Sequence, residues 1–383
     1  MKDVFHELAR KLDRLPQGYP ATGDGLELRI LRKVFSEEDA AVALRLRPFP
    51  ETAARIARRL GVPVARARAR LDDMAQRGQI GCMNSHHRKL YLLVPFVVGI
   101  YEFQLRRLDA ELAEMMEAYL PHLTRRVGGA RPALARVVPI HATIDSAAHV
   151  LDHEDARRMV EAARVFRVAP CICRKQSALR GRPCRHPEET CLTFATDPTA
   201  YDGVPEWGRV ITREEALGVL DLAEREGLVH CTYNFRSQPF FVCNCCSCCC
   251  GFLRGLAEFR APHMLARSNY AAAIDAALCA NCGACVARCP VGAIAGGDAS
   301  SVVAAERCIG CGVCAPECPR QAIRLFARPA AEQERPPRDI VDWSIRRTTE
   351  RDGTFAGVAL RGWLVWQVLK ARAERTPEPG KET

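Results

Sequence analysis

The chain has 383 residues, 48% of them apolar and 26% charged, enough to bury several cores and to form two to four domains. Its formal net charge of +10 suits a solvated surface, an acidic partner or nucleic acid and requires none of them. Twenty cysteines are far above ordinary use. The opening MKDVFHELARKLDRL has no apolar signal core and no run approaches a spanning helix, so the expectation is a cytoplasmic protein that puts its thiols on metal rather than into disulfides.

Residues 1–25 read as a short amphipathic helix followed by a hinge at Pro16, Gly18, Pro20, Gly23 and Gly25. Residues 26–97 predict helix from Leu26 through Leu46, a break at Pro48 and Pro50, a helix Thr52–Leu60 and a turn Gly61-Val62-Pro63. A third helix runs from Val64 to about Arg77, with Val64, Ala67, Leu71 and Met74 at helical spacing. Strands follow at Gln79–Met83 and Lys89–Val94 around the turn NSHHR. Helix, turn, helix and two-stranded wing resembles a winged helix-turn-helix domain. The resemblance implies either DNA contact or a protein-docking scaffold. Arg66, Arg70 and Arg77 form a stripe, and His86, His87, Arg88 and Lys89 sit in the wing, as phosphate contact would need. Asp72 and Asp73 lie on the same helix and oppose it, so docking of a partner is the expectation and specific DNA binding the rival. Residues 98–165 read as a helical connector. Tyr101–Leu120 and His153–Phe166 are its amphipathic stretches, the second begun by Asp152 as N-cap, and Pro121 and residues 128–132 separate them.

Residues 166–262 form a cysteine-rich α+β unit. Thr212 and Glu215 make a capping box before the helix Arg213–Gly227. Val168–Cys173, Leu228–Phe235 and Phe240–Cys243 have strand character. Ten cysteines gather here: Cys171, Cys173, Cys184, Cys191, Cys243, Cys245, Cys246, Cys248, Cys249 and Cys250. Six thiols within eight residues cannot all be inert packing, and thiolates so close need a cation. The two segments are expected to meet and hold metal, as one or two iron–sulfur clusters if the cysteine repeat that follows holds iron–sulfur too, with zinc or a free thiol patch as alternatives. Cys82 and Cys231 stand alone and read as buried or incidental thiols.

Residues 268–328 contain CANCGACVARCPVGAI and CIGCGVCAPECPRQAI. Each half is Cys-x2-Cys-x2-Cys-x3-Cys-Pro: Cys279, Cys282, Cys285 and Cys289, then Cys308, Cys311, Cys314 and Cys318, the second copy 29 residues after the first. Four thiols within eleven residues suit a cube better than the two separated pairs of structural zinc. The repeat resembles the bacterial two-cluster ferredoxins. That resemblance implies two [4Fe–4S] clusters, one on Cys279, Cys282, Cys285 and Cys318, the other on Cys308, Cys311, Cys314 and Cys289. Residues 329–383 read as a flexible, Pro- and charge-rich tail carrying an amphipathic helix Phe355–Leu369 with Trp363 and Trp366, and a disordered end ERTPEPGKET.

The strings VPFVVGIYEFQL, CICRK and CNCCSCCCG, with the double cysteine motif, are similar to a group of 4Fe–4S ferredoxin-type proteins of anaerobic or facultative bacteria. The resemblance covers most of residues 15–328 and implies iron–sulfur binding and electron transfer but no substrate. Cys249-Cys250-Gly251 is similar to the Cys-Cys-Gly motif of heterodisulfide-reductase-type subunits. The expectation is therefore an α+β multi-domain electron carrier that serves a redox partner protein, with oligomerisation open. A redox-responsive winged-helix regulator and an iron–sulfur subunit of a reductase are the rivals. No Cys-x3-Cys-x2-Cys occurs to suggest radical S-adenosylmethionine chemistry, and no glycine-rich phosphate loop suggests a nucleotide.

Overall fold

The computed structural model describes residues 3–145 and 152–373. Chain entry is helical: α1 (Val4–Arg14), α2 (Leu26–Val34) and α3 (Glu37–Arg45). The Asp3 carboxylate accepts from the Phe5 N–H and caps α1, whose Phe5, Leu8 and Leu12 are buried. The single helix expected from Leu26 to Leu46 is two. Ser36 is extended and its hydroxyl accepts the Asp39 N–H, starting α3 afresh. α4 (Ala53–Leu60) ends at Gly61, whose φ is 68°, and α5 (Val64–Gln76) buries Ala67, Leu71 and Met74. The hairpin β1 (Gly81–Ser85) and β2 (Arg88–Leu92) turns at His86 and His87, both with positive φ. The strands are therefore shifted from the expected bounds, because a two-residue turn with both centres left-handed matches strand twist better than a five-residue loop.

A 3-10 turn at Glu102–Arg106 leads into α6 (Ala110–Gly128), capped by Asp109. Pro121 lies inside α6 and does not end it; burial of Leu112, Met116, Tyr119, Leu123 and Val127 outweighs the one missing N–H. The chain then builds a seven-stranded sheet from β3 (Ala135–Val138), α7 (Ala156–Glu161), β4 (Val165–Pro170), α8 (Ile172–Leu179), β5 (Glu189–Ala195), β6 (Arg209–Ile211), α9 (Arg213–Arg225), β7 (Val229–Tyr233), β8 (Phe241–Cys245), α10 (Gly251–Ala257) and β9 (Leu265–Ala266). Strand order is β6-β4-β5-β8-β7-β3-β9, antiparallel throughout except for β3–β9. The connector 98–165 is thus not all helix, since β3 lies within the sheet. The helix expected over His153–Phe166 shrinks to α7, capped by Asp155, because Val165 and Phe166 are claimed by pairing with β5. Cys173 lies in α8 rather than a strand. The sheet draws on residues 135–266, beyond the expected 166–262.

β10 (Tyr270–Ile274) pairs with β13 (Ile323–Ala327), enclosing α11 (Ala284–Arg288) and the short pair β11 (Ile294–Ala295) and β12 (Val302–Val303). α12 (Ile340–Asp352) and α13 (Thr354–Ala373) follow. The expected flexible tail is corrected here: Trp343 and Arg347 are fully buried. The Trp343 indole donates to the Ala133 carbonyl at 2.9 Å, and Arg347 donates to the carbonyls of Pro16, Ala130, Pro132 and Val127. Two anchors hold a helix whose composition is polar. The Trp363 ring meets Phe49 with centroids 4.7 Å apart. ERTPEPGKET and the Trp366 side chain lie outside the described residues. No helix among the described residues is long and apolar enough to cross a membrane.

Candidate iron–sulfur and thiol centres

Cys279, Cys282, Cys285 and Cys318 line one open pocket, with Ile274, Gly283, Pro319 and Ile323 around them. Three come from one loop that Gly283 turns at φ 74° into α11; the fourth arrives from the other copy of the motif, just before β13 closes on β10. Backbone N–H groups point at sulfur: Asn281 at Cys279 (3.4 Å), Ala322 at Cys318 (3.3 Å), Ala293 at Cys289 (3.1 Å) and Ala272 at Cys308 (3.5 Å). Four thiols around a common space, with amides aimed at sulfur, are the donor set an iron–sulfur cube needs. Cys308, Cys311 and Cys314 form the other loop, with Cys289 close enough to act on Cys311 and Cys314. Burial pushes both thiols up, Cys314 to about 12. The two loops differ in setting. Cys282 is exposed and Cys279 half-exposed, whereas Cys311 and Cys314 are buried. The second loop docks on the sheet: Ile140 N–H donates to the Cys311 carbonyl at 3.1 Å. Gly310 and Gly312 both have positive φ, and a Cβ there would come within 2.2 Å of the Tyr270 carbonyl and 2.4 Å of the Thr143 hydroxyl.

The thiols of the middle region, the ten named from the sequence together with Cys231, fall into two sets. Across the sheet, Cys191 on β5 faces Cys243 on β8, and Cys243 faces Cys231 on β7. Directly opposed residues share a face, and so do residues two apart on one strand, which adds Cys245. Cys171 and Cys173, at the start of α8, and Cys250, before α10, close on this row. Hydrogen bonds from Cys191 and then Cys245 hold the Cys243 thiol well below its usual range, while Cys191 and Cys245 are pushed up in turn. The second set is Cys184, Cys246, Cys248 and Cys249, whose sulfurs all lie within 4.8 Å of one another. The hydrogen bond with Cys249, foremost, brings Cys246 down to about 4.

A family model for a 4Fe–4S dicluster domain matches residues 271–319. This segment is a ferredoxin-type iron–sulfur domain. No curated protein and no solved structure matches the chain. The ferredoxin domain abuts the middle sheet: Ile309, Cys311 and Val313 belong to the same buried cluster as Cys231, Cys245, Cys250 and Leu253. Cys231, read from the sequence as a lone buried or incidental thiol, is buried but not alone. Three further residues stand at these centres; Arg174 and Glu102 lie in the strings CICRK and VPFVVGIYEFQL, but spacing along the chain gave none of the three a role. Arg174, 1% exposed, donates to the Pro187 and Asn244 carbonyls and the Thr190 hydroxyl and lies beside Cys246. The Glu102 carboxylate accepts the Gly99 N–H at 2.6 Å, and burial raises it to about 8 beside Cys243 and Cys171. Arg288 bridges the ferredoxin domain to α9. Cys82, half-buried on β1, meets none of these thiols in the sheet register and has its thiol pushed up to about 11 by burial.

The arginines of α5 are engaged elsewhere. Arg70 and Arg77 pair with fully buried Asp39 at 2.7 Å each. Asp72 receives the Tyr91 hydroxyl at 2.7 Å and pairs with Lys89 at 2.5 Å. The hairpin lies against residues 197–202: the Asn84 N–H donates to the Ala200 carbonyl and the His86 N–H to the Asp197 carboxylate. Arg66 is exposed.

Proposed function

We propose that the chain is an electron carrier in which a two-cluster ferredoxin domain joins an external redox partner to a metal-binding middle domain. The observation that carries this reading is the packing of Cys311 in one buried cluster with Cys231, Cys245 and Cys250. Cys279, Cys282, Cys285 and Cys318 hold one cube, and Cys308, Cys311, Cys314 and Cys289 the other. When bound, these clusters supply one-electron transfer. Exposure of Cys282 leaves its loop accessible to a partner, while Ile140, Gly312 and Thr143 shut the Cys311 loop away from water. Burial and amide donors to sulfur tune the potential of each site separately. Cys171, Cys173, Cys191, Cys243, Cys245 and Cys250 are positioned to hold an iron–sulfur cluster of the middle domain.

Residues 26–97 act in this reading as a winged-helix scaffold for docking. The pairing of Arg70 and Arg77 with Asp39, and the hairpin's contact with residues 197–202, support it. The boundaries proposed for the units are 26–97, 135–266 and 268–328, with the last helices strapped across the body.

The full chain, purified without oxygen, tests the reading by iron and sulfide analysis and by low-temperature electron paramagnetic resonance after reduction. Cys282→Ala and Cys311→Ala are each expected to remove one cube's iron and one signal. A protein that takes up zinc but no iron under these conditions refutes the carrier function.

A further inference from the structure

The foursome Cys184, Cys246, Cys248 and Cys249 differs in kind from the other thiol sets. Cys184 Sγ lies 3.8 Å from Cys246 Sγ and 3.6 Å from Cys248 Sγ, and Cys248 and Cys249 are 3.5 Å apart at sulfur. A tetrahedral ion with metal–sulfur bonds of about 2.3 Å separates its ligands by about 3.8 Å. A cube places each thiolate on a different iron, so its ligands stand much farther apart. The same chain offers the comparison: among the described residues no three of the ferredoxin cysteines come within 4.8 Å of one another, and no three of the row around Cys243 do.

We propose that these four thiolates hold a single divalent ion, zinc or ferrous iron, in a closed tetrahedral site. The inference rests on the reading that the middle region binds metal of its own, and it replaces a cluster at this foursome with one ion. Tetrahedral coordination by four sulfurs is the preference of exactly such soft-ligand sites. Three ligands come from the turn between β8 and α10. The fourth comes from the loop 180–188, which has no regular structure and is pinned on both sides of Cys184. On one side the Ser177 hydroxyl donates to the Arg182 carbonyl at 2.6 Å; on the other the Arg174 guanidinium donates to the Pro187 carbonyl. Four thiolates around a divalent ion leave a net charge of two minus, and Arg174, buried beside Cys246, offsets part of it. Cys246 and Cys249 are buried and Cys184 is half-buried, while exposed Cys248 marks the way in. Binding replaces the thiol protons with the ion and releases them to solvent, so no oxidant or reductant is needed. The ion ties the loop 180–188 to the turn after β8, and with them α8, which carries Cys171 and Cys173 into the row.

The test uses the full chain purified without oxygen, with metals and sulfide counted per chain. Cys184→Ser and Cys248→Ser are each expected to lose one ion, with sulfide and the electron paramagnetic resonance of the ferredoxin domain unchanged, while Cys82→Ser loses none. Loss of about four irons with sulfide in Cys184→Ser would show a cube and overturn the proposal. So would an unchanged metal count. If both serine variants fail to fold, the wild-type chain produced with cobalt(II) decides: the visible bands of a tetrahedral tetrathiolate cobalt site support it, and their absence overturns it. Failure of the ferredoxin iron to appear would sink the carrier function yet leave the single-ion count standing, so the two can fail separately.

Discussion

Arg288 ties the ferredoxin domain to the end of α9 in the middle region, and its removal tests whether the two act as one unit. On α11 it donates from Nε to the Val313 carbonyl at 2.7 Å and from Nη2 to the carbonyls of Glu224 and Arg225 at 2.8 and 2.7 Å. It also pairs with Glu317 at 2.8 Å, with 16% of its side chain exposed. The carbonyls of Glu224 and Arg225 end α9, where a cation also meets the negative end of the helix dipole. Gly227 follows at φ 70°, and a Cβ there would lie 3.0 Å from Arg288 Nε, so the guanidinium rests on bare backbone. Hydrogen bonds from a charged donor contribute about 1.5–3 kcal/mol each. Water regains part of that at the helix end, and the Glu317 pair adds little at the surface. Arg288→Ala is therefore expected to cost about 3 kcal/mol locally, about 150-fold in the opening equilibrium. Hydrogen exchange on the holoprotein should show faster exchange in α11 and the last turn of α9, with iron retained and α1–α3 unchanged. Unchanged exchange in α11, or acceleration spread evenly over the chain, would refute the reasoning.

Two further outcomes follow from the helical region. Lys11 donates to the carbonyls of Leu44 and Leu46 at 2.7 and 2.6 Å, and burial lowers its ammonium to about 8 from 10.5. Between those values the unfolded chain binds more protons at this site, so stability should rise with pH across that window. Urea unfolding of Lys11→Met should lack that rise relative to wild type; equal slopes would refute the assignment. The pairing of Arg70 and Arg77 with Asp39 predicts that selection of DNA fragments at physiological salt enriches no sequence motif, and that any binding fades as salt rises. A reproducible motif, lost in Arg66→Ala/Arg70→Ala, would favour the regulator instead.

The ferredoxin repeat was legible because its chemistry is local: three ligands two residues apart and a following proline are written side by side between Cys279 and Pro319. The capping box of Thr212 and Glu215 and the hairpin were legible for the same reason, though the hairpin's register moved once the two-residue turn was formed. The sequence by itself therefore determined the iron–sulfur domain, the crowding of thiols from Cys171 to Cys250 and the helix–hairpin order of residues 37–92. Only tertiary structure decided how those thiols divide. Antiparallel register brings Cys231 and Cys191 onto either side of Cys243, and closure of a 62-residue separation sets Cys184 against Cys246. Tertiary packing also commits Arg70 and Arg77 to a buried carboxylate and buries Trp343 and Arg347 in a segment that reads as tail. Spacing along a chain specifies ligands that share one loop, but partners from different strands and loops are chosen by strand register and by which polar groups burial forces to pair.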